Sequence, residues 1–372
     1  MKTIKCIFCG HTERVQFTCQ IPYSSKFNKV KSKPQKIEFG KCNCCEVPRI
    51  TTSSLYSFLG SLHENIKYRE PDFHLKVSSL RLVEHLHTPE STIIYRASAK
   101  DDSLANMLSQ YKGTNISIEP QYLFDFNQSS INVEFKDNDI VLLNRIVEHI
   151  NSFDLLSELV DKMKQSNVLG YIEILDFKSL YLKGDYSFLW DERLYYPTPE
   201  YLSAWLENNG FNIVEQFNYH QEGVDPFTCF LFTRIKGSGI MAKSTNLKHL
   251  NSNLFELTDL LVSINERIRY LLRYVESLAV YGIGHKSLFF CWAVKHIYPE
   301  IEITLFDGSS EKVGSYWDDL AVLDIKNANY KHNLHVFAFE NKLTVMLSGE
   351  IVKSNANAKI IMLTSVFNFE PK

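Results

Sequence analysis

Apolar segments of strand length alternate with segments of helical periodicity through most of the 372-residue chain. In the first half, strand-like segments cover residues 92–95, 115–118, 139–143 and 169–175, and helical spacing covers 74–87, 104–111 and 153–164. Segment 169–175 is apolar without strict alternation, which is typical of a strand covered on both faces. Strands that alternate with helices predict a doubly wound α/β sheet.

The pattern continues along the chain. A helix over 199–209 ends at Gly210, and residues 211–217 and 227–233 are expected to form a final antiparallel pair. Lys236-Gly237-Ser238-Gly239 has the composition of a joint. Beyond it, a long helix over 254–275 precedes strands at 278–281, 303–307, 335–339 and 360–363. We therefore expect one sheet domain over residues 61–236 and a second, Rossmann-like α/β domain over 245–372.

Six of the eight cysteines lie in the first 45 residues. Cys6 and Cys9 are three apart, as are Cys42 and Cys45, and this spacing lets a tight turn present two thiolates to one metal ion. Cys44 competes with Cys45 for the last position. In a reducing compartment such a cluster binds metal more readily than it forms disulfides. The pattern predicts a zinc-binding head over residues 1–60, with a closed structural site of four thiolates.

Charge and hydropathy argue against two classes of partner. The formal net charge is −3 and the pI is near 6.5, so the chain lacks the net basic surface that phosphate backbones require. Two zinc knuckles alone would nevertheless also suit a nucleic-acid-binding ribbon. No stretch approaches the ~20 consecutive apolar residues of a membrane span, and the first residues do not resemble a secretory signal. We expect a cytoplasmic protein with no nucleic-acid or membrane partner.

The loop after the first strand of such a sheet holds a nucleotide cofactor in many proteins, and an acid that ends the second strand binds ribose hydroxyls. Glu119 stands at that strand end, and the loop contains Ala97, Ser98 and Asp102. Asn144, which follows the third strand, completes the candidate cofactor site. The loop has no glycine, so positive φ angles would be costly within it. The alternative for Glu119 is a solvated strand end.

The order of these parts resembles the class I S-adenosylmethionine-dependent methyltransferases that carry an amino-terminal zinc-binding domain and a carboxy-terminal Rossmann-like domain, a family known for sugar C-methylation. The similarity is carried by the cysteine knuckles, Ile118-Glu119-Pro120, Val147-Glu148-His149-Ile150, residues 192–198, His220 with Gly223, and Tyr281-Gly282-Ile283-Gly284-His285-Lys286. It implies a methyltransferase-like domain over 61–236, with S-adenosylmethionine and structural zinc as cofactors. The implied substrate is a small molecule such as a nucleotide-linked sugar, methylated on carbon in preference to oxygen.

The same resemblance implies that His149 lies beside the methyl acceptor, that His220 lines the same pocket, and that the segment around Glu192 supplies the base. There the chain departs from the family, because Asp191 and Arg193 replace the two histidines that flank the glutamate. Arginine is not a base at neutral pH, but it can hold an anion or pair with Glu192. The base is therefore sought among His149, Glu192, Asp191 and His220, with His149 preferred because imidazole titrates near neutrality.

Two other functions fit the same sequence. A chain without loop glycines and flanking histidines also suits a protein that keeps the fold but has lost or changed the reaction. In the second domain, Gly282-Ile283-Gly284 after a strand, with Asp307 after the next one, is a partial dinucleotide motif. That motif suits a nicotinamide-dependent enzyme or, by the resemblance, a site near Lys286 and Lys312 for the nucleotide part of the substrate.

Overall fold

The computed structural model describes residues 5–11, 16–22, 36–50, 72–86, 91–111, 115–124, 130–182, 193–219, 226–234, 257–339, 342–363 and 366. The chain divides into two compact units. The first comprises Met1–Phe17, Gly40–Lys178 and Glu192–Phe255, and the second comprises Thr18–Phe39, Ser179–Asp191 and Glu256–Lys372. Within the described ranges, no helix is long and apolar enough to cross a bilayer.

The described part of the chain contains strands and helices in the following order. The strands are β1 (Gln16–Pro22), β2 (Lys36–Lys41), β3 (Pro48–Ile50), β4 (Thr92–Arg96), β5 (Ile116–Tyr122), β6 (Ile140–Asn144), β7 (Leu169–Leu175), β8 (Phe211–Tyr219), β9 (Phe227–Arg234), β10 (Ser277–Tyr281), β11 (Glu302–Asp307), β12 (Tyr316–Trp317), β13 (Leu320–Asp324), β14 (Leu334–Phe337) and β15 (Lys359–Met362). The helices are α1 (Asp72–Glu84), α2 (Asp102–Ser109), α3 (Phe153–Met163), α4 (Phe177–Leu182), α5 (Pro199–Asn208), α6 (Leu257–Leu271), α7 (His285–Ile297) and α8 (Lys342–Ser354).

The sheet of the first unit has six strands in the order β5-β4-β6-β7-β9-β8. Strands β4 to β7 are parallel to one another, while β9 runs antiparallel to both β7 and β8. Every residue of β6 and of β7 is buried, as expected for central strands covered on both faces. This arrangement, a doubly wound parallel sheet that ends in a reversed pair, is the class I methyltransferase-like fold that the sequence predicted.

The sheet of the second unit has the order β12-β13-β11-β10-β14-β15. All its pairings are parallel except the short β12 with β13. Its core is built around Ala279, Tyr281, Phe306 and Phe337 on the three central strands. The Rossmann-like α/β class predicted for this part of the chain is therefore confirmed. A smaller three-stranded sheet, in the order β1-β2-β3, lies elsewhere in the molecule.

Several element boundaries differ from those predicted. Helix α6 ends at Leu271 rather than 275, and Tyr274 beyond it lies in the left-handed region with φ 72°. The sequence patterns missed β13 and α8 altogether. Helix α8 exposes Val345, Met346 and Val352, so its apolar residues do not follow one helical face and no amphipathic periodicity is visible.

Candidate functional site

The four cysteines of the two knuckles converge in the first unit. The sulfur atoms of Cys6 and Cys45 are 3.7 Å apart, those of Cys9 and Cys42 are 3.6 Å apart, and all four lie within 4.8 Å of one another. Cys44 is exposed and outside this group. Hydrogen bonds from Cys45 and from the other thiols lower the pKa of Cys42. Four thiols at this spacing are compatible with a tetrahedral metal ion.

The two knuckles have matching backbone geometry. The amide of Gly10 donates to the carbonyl of Cys6, and the amide of Glu46 donates to that of Cys42, each at 2.8 Å. Gly10 and Glu46 close these turns in the left-handed region, with φ 69° and 58°. Glycine adopts this conformation at no steric cost, whereas glutamate does so at a cost that the surrounding structure must offset.

An aromatic cluster joins the first knuckle to the methyltransferase-like part of the same unit. The Phe8 ring meets the rings of Tyr195, Tyr201 and Trp205 edge to face, with centroids 5.3 to 5.9 Å apart. The indole of Trp205 also donates to the carbonyl oxygen of Phe8 at 3.0 Å. Burial and the neighbouring Cys45 raise the pKa of Tyr201, so its hydroxyl stays protonated beside the sulfur cluster.

The glycine-free loop after β4 is organised by Asp101, a residue that the sequence patterns did not single out. Its carboxylate accepts from the amides of Ala97 and Ser98 at 2.8 and 3.0 Å, and from the amide of Asn144 at 2.9 Å. Asp101 is fully buried, and burial raises its pKa to about 8 although the three amides act in the opposite direction. The backbone amides of three predicted cofactor-binding residues are thus engaged within the loop.

Asp102, another predicted cofactor residue, is bound by its neighbours. Arg96 donates to Asp102 at 2.5 Å and to the carbonyl of Glu119 at 2.9 Å, and the Tyr122 hydroxyl donates to Asp102 at 3.0 Å. The carboxylate of Glu119, by contrast, makes no hydrogen bond or ion pair with any residue that the structure describes. Glu119 was predicted to end the second strand, but β5 continues to Tyr122, so Glu119 lies in the middle of β5 alongside β4.

His149 lies next to the cofactor loop. It ends the short 3-10 helix Val147–His149 after β6 and is 2% exposed. Its Nε2 atom is 2.9 Å from the Nζ atom of Lys100, which also donates to the carbonyl of Arg145 at 3.1 Å. Because an ammonium group carries only donors, Nε2 accepts from Lys100 and the Nε2 lone pair is engaged in this arrangement. The structure thus brings the predicted base and the predicted cofactor loop together.

Arg193 forms an ion pair with Glu148, while Glu192, the partner that the sequence suggested, lies outside the described residues. Its Nε atom is 3.4 Å from Oε2 of Glu148, and both side chains are almost fully buried. Glu148 also accepts from the Leu175 amide at 2.7 Å, and its carbonyl accepts from the amides of Leu194 and Tyr195. Glu148 thereby holds the chain around Arg193 beside the segment that carries His149. Glu192, Asp191 and His220, the other predicted catalytic residues, lie outside the described residues.

A second buried polar cluster surrounds Glu173 on β7. His74 on α1 and Tyr171 bind its Oε2 at 2.7 and 2.8 Å, and Arg145 Nε lies 3.1 Å from its Oε1. Cys229, directly opposite on β9, is 3.6 Å from Oε2. Burial alone would lower the pKa of His74, but Cys229 and Glu173 raise it to about 10. Burial opposes ionisation of Glu173, but His74 and Arg145 hold its pKa below its usual value.

The sequence patterns missed this cluster because its members are scattered along the chain. A single polar residue within a buried strand gives no periodic signal, and only the strand register brings Glu173 opposite Cys229. The backbone of Arg145 also marks this cluster, because its φ of 51° is unusual for a residue with a Cβ atom. Residues held in such conformations cluster at functional sites. The backbone angle, however, is visible only in the structure.

In the second unit, the turn of the partial dinucleotide motif is also engaged by its own acid. Gly282 has φ 82°, and a Cβ atom there would lie 2.5 Å from the Phe339 ring. Asp307 accepts from the Ile283 amide at 2.7 Å and from the Ser309 amide at 2.8 Å. Lys312 donates to the Ile283 carbonyl and lies 3.4 Å from Asp307. Asp307 and Lys312 thus both bind the turn itself.

No protein-family model and no curated protein sequence matches this chain. Among solved structures, a 1,6-didemethyltoxoflavin N1-methyltransferase of Burkholderia thailandensis is 12% identical to this chain. The alignment covers 54% of this chain and 96% of that enzyme, with a TM-score of 0.34. A magnesium protoporphyrin IX methyltransferase of Synechocystis PCC 6803 is 10% identical. That alignment covers 50% of this chain and 100% of that enzyme, with a TM-score of 0.31. Similarities of this size carry no argument about activity, and the fold assignment rests on the strand order.

Proposed function

We propose that the protein transfers a methyl group from S-adenosylmethionine to a small molecule. The observation that supports this most is the Glu119 carboxylate, which lies within β5 alongside β4 and binds no described residue. In sheets of this kind, an acid on the second strand, about 20 residues beyond the first loop, accepts from the ribose hydroxyls of a nucleoside. When bound, S-adenosylmethionine supplies an electrophilic methyl group.

The loop offers a nucleoside few free backbone amides. None of its residues has a positive φ, so the chain turns without glycine. Because Asp101 takes the amides of Ala97 and Ser98, these two amides are not expected to contact the cofactor. Glu119 is therefore the residue on which nucleoside affinity should depend most.

The residues that would act on the acceptor are His149 and its neighbours. As general base, His149 would remove a proton from a carbon or hydroxyl of the acceptor, with Lys100 releasing its Nε2 atom when the acceptor enters. Arg193 is assigned a positioning role, because its ion pair with Glu148 fixes the segment that carries His149. Glu192 and His220 remain candidates for the same pocket on the family resemblance alone.

The finer assignments rest on the family resemblance and on the donor set. We assign structural zinc to Cys6, Cys9, Cys42 and Cys45, since four thiolates satisfy a tetrahedral zinc ion and exclude an open catalytic position. A nucleotide-linked sugar is the preferred acceptor, with carbon favoured over oxygen, in a cytoplasmic enzyme.

Calorimetric titration with S-adenosylhomocysteine tests the nucleoside site. Glu119→Gln should weaken binding about 10- to 100-fold, the usual cost of losing hydrogen bonds to a charged acceptor. Glu134→Gln is the matched control, because Glu134 is an exposed acid of the same unit. Binding of the wild type that is unaffected by Glu119→Gln, or no measurable binding at all, would contradict the proposal.

The engaged loop also favours a second candidate function, a binding protein that keeps the fold without the reaction. Asp101 holds the loop amides, and Lys100 holds the Nε2 atom of His149. Wild-type protein that binds S-adenosylhomocysteine normally, but consumes no S-adenosylmethionine with any nucleotide-linked sugar offered, would favour this alternative.

A further inference from the structure

A second set of metal-ligand side chains lies within the sheet of the first unit, distinct from the four cysteines of the head. Glu173 and Cys229 are paired across β7 and β9, so their side chains share one face of the sheet. His74 reaches them from the first turn of α1. One donor atom from each of the three lies within 4.8 Å of the others, and all three residues are buried. We propose that His74, Glu173 and Cys229 form a second site for a divalent cation such as zinc.

One distance between the donor atoms already matches a zinc site, and a second is somewhat shorter than such a site requires. Zinc bonds of about 2.0 to 2.3 Å in a tetrahedron place neighbouring ligand atoms roughly 3.3 to 3.6 Å apart. Oε2 of Glu173 is already 3.6 Å from Sγ of Cys229. The distance between Oε2 and Nε2 of His74 is 2.7 Å and must lengthen by roughly half an ångström.

The donor chemistry selects the class of metal. Calcium and magnesium prefer oxygen ligands throughout, whereas this set offers one nitrogen, one oxygen and one sulfur. Imidazole and thiolate together favour zinc and its neighbours in the first transition series. Binding exchanges one dication for two protons, one from the Cys229 thiol and one held between His74 and Glu173. The net charge of this buried region therefore does not change.

The surroundings resemble the outer shell that orients metal ligands in proteins. Arg145 lies 3.1 Å from Oε1 of Glu173, on the oxygen that the metal would not use. The Tyr171 hydroxyl lies 2.8 Å from Oε2 and 3.4 Å from Sγ of Cys229, close enough to both ligands to supply a fourth donor. The His74 ring packs against Tyr219, with centroids 4.7 Å apart. With no side chain of the set exposed, the ion would link α1 to two strands of the sheet as a structural site.

Metal analysis of the full-length protein, purified with zinc and then desalted, tests this site. The wild type should hold two zinc ions per chain, one in the head and one here. Cys229→Ser and His74→Gln should each hold one. Cys291→Ser is the matched control, because Cys291 is another fully buried free thiol, located on α7, and should leave two ions. Circular dichroism of each variant confirms that it is folded.

Cobalt substitution separates the second site from the head. Cys229→Ser should lower the thiolate-to-cobalt absorption of the wild type and remove one equivalent from the titration, whereas Cys291→Ser should change neither. Cys9→Ser, which removes a head ligand, should leave the band due to Cys229. The proposal is overturned if the wild type holds a single ion that survives Cys229→Ser, or if two ions persist in both Cys229→Ser and His74→Gln. Neither outcome bears on nucleoside binding, which is measured separately at Glu119.

Discussion

In many cofactor loops, glycines allow the backbone to turn tightly. In the first unit, the Asp101 carboxylate organises the loop after β4 instead. The sequence placed a loop after the first strand, and the structure has one there, but it also placed Glu119 at the end of the second strand, whereas β5 continues to Tyr122. The sequence also suggested that a loop without glycine would be strained. The structure avoids that cost, because the loop keeps ordinary φ angles and Asp101 ties its amides to the amide of Asn144. Asp101 lies three residues after Ser98. Only the folded backbone shows that its carboxylate binds the amides of this loop.

Burial of Asp101 predicts a pH dependence of stability. An unfolded aspartate titrates near 3.9, while burial raises the pKa of Asp101 to about 8 in the folded state. Between these values the folded carboxyl keeps a proton that the unfolded chain releases, so rising pH favours unfolding. This contribution is complete below about pH 4 and is lost by about pH 8, with a slope of at most about 1.4 kcal/mol per pH unit.

Urea unfolding of the wild type and of Asp101→Asn between pH 5 and 8 measures this contribution. The free energy of unfolding should fall more steeply with pH in the wild type, since the amide does not titrate. Asp102→Asn, at the neighbouring and more exposed acid, is the control. Parallel curves for the wild type and Asp101→Asn would mean that the three amide donors outweigh burial and keep the carboxylate ionised.

The cysteine head packs against the methyltransferase-like part of the first unit through the aromatic cluster. The spacing of the cysteines predicts the two knuckles, because knuckle geometry is local. It gave no sign that Phe8, between the cysteines, packs against three rings almost 200 residues away. Local turns and amphipathic elements can thus be predicted from short patterns, whereas the contacts that join them depend on the complete fold. The same reason explains why the pairing of Arg193 with Glu148 was not foreseen.

Removal of the Phe8 ring should destabilise the first unit. Phe8→Ala deletes a ring that is 6% exposed and leaves a cavity between Tyr195, Tyr201 and Trp205. A loss of about 3 to 5 kcal/mol in the free energy of unfolding is expected for such a substitution. Tyr270→Ala, at an aromatic residue that is 81% exposed, should change it by less than about 0.5 kcal/mol. Denaturant unfolding of both variants checks this, and equal effects would show that the head does not depend on the cluster.

At the scale of the molecule, the two sheets bury ionisable groups that respond to acid in opposite directions. The first buries Asp101, whose contribution to stability grows as pH falls. The second buries His335 on β14, where Tyr281 shares a hydrogen bond of 3.0 Å with Nδ1 and the His332 carbonyl binds Nε2 at 3.1 Å. The hydroxyl can donate and the carbonyl can only accept, so this pattern satisfies a neutral imidazole. Burial and the neighbouring His332 lower the pKa of His335 to about 4.

Acid should therefore weaken the second unit selectively. An unfolded histidine titrates near 6.5, so between about pH 6.5 and 4 the unfolded chain binds a proton that folded His335 does not. The stability that His335 contributes is complete above pH 6.5 and is lost as pH falls through this window. Hydrogen exchange at pH 7 and pH 5, corrected for the intrinsic rate, should show protection of β10 and β14 falling, while protection of β7 does not fall in parallel.

His335→Gln should reduce this acid-induced loss, because glutamine does not titrate, and should leave only the part due to His332, whose pKa is also lowered by burial. His296→Gln is the control, since His296 is an exposed histidine on α7 of the same unit. Equal loss of protection in β7, β10 and β14 would mean that acid acts on the whole chain at once, for instance through the thiols of the head. Loss confined to β10 and β14, and reduced in His335→Gln, would instead place that part of the acid response in one buried imidazole.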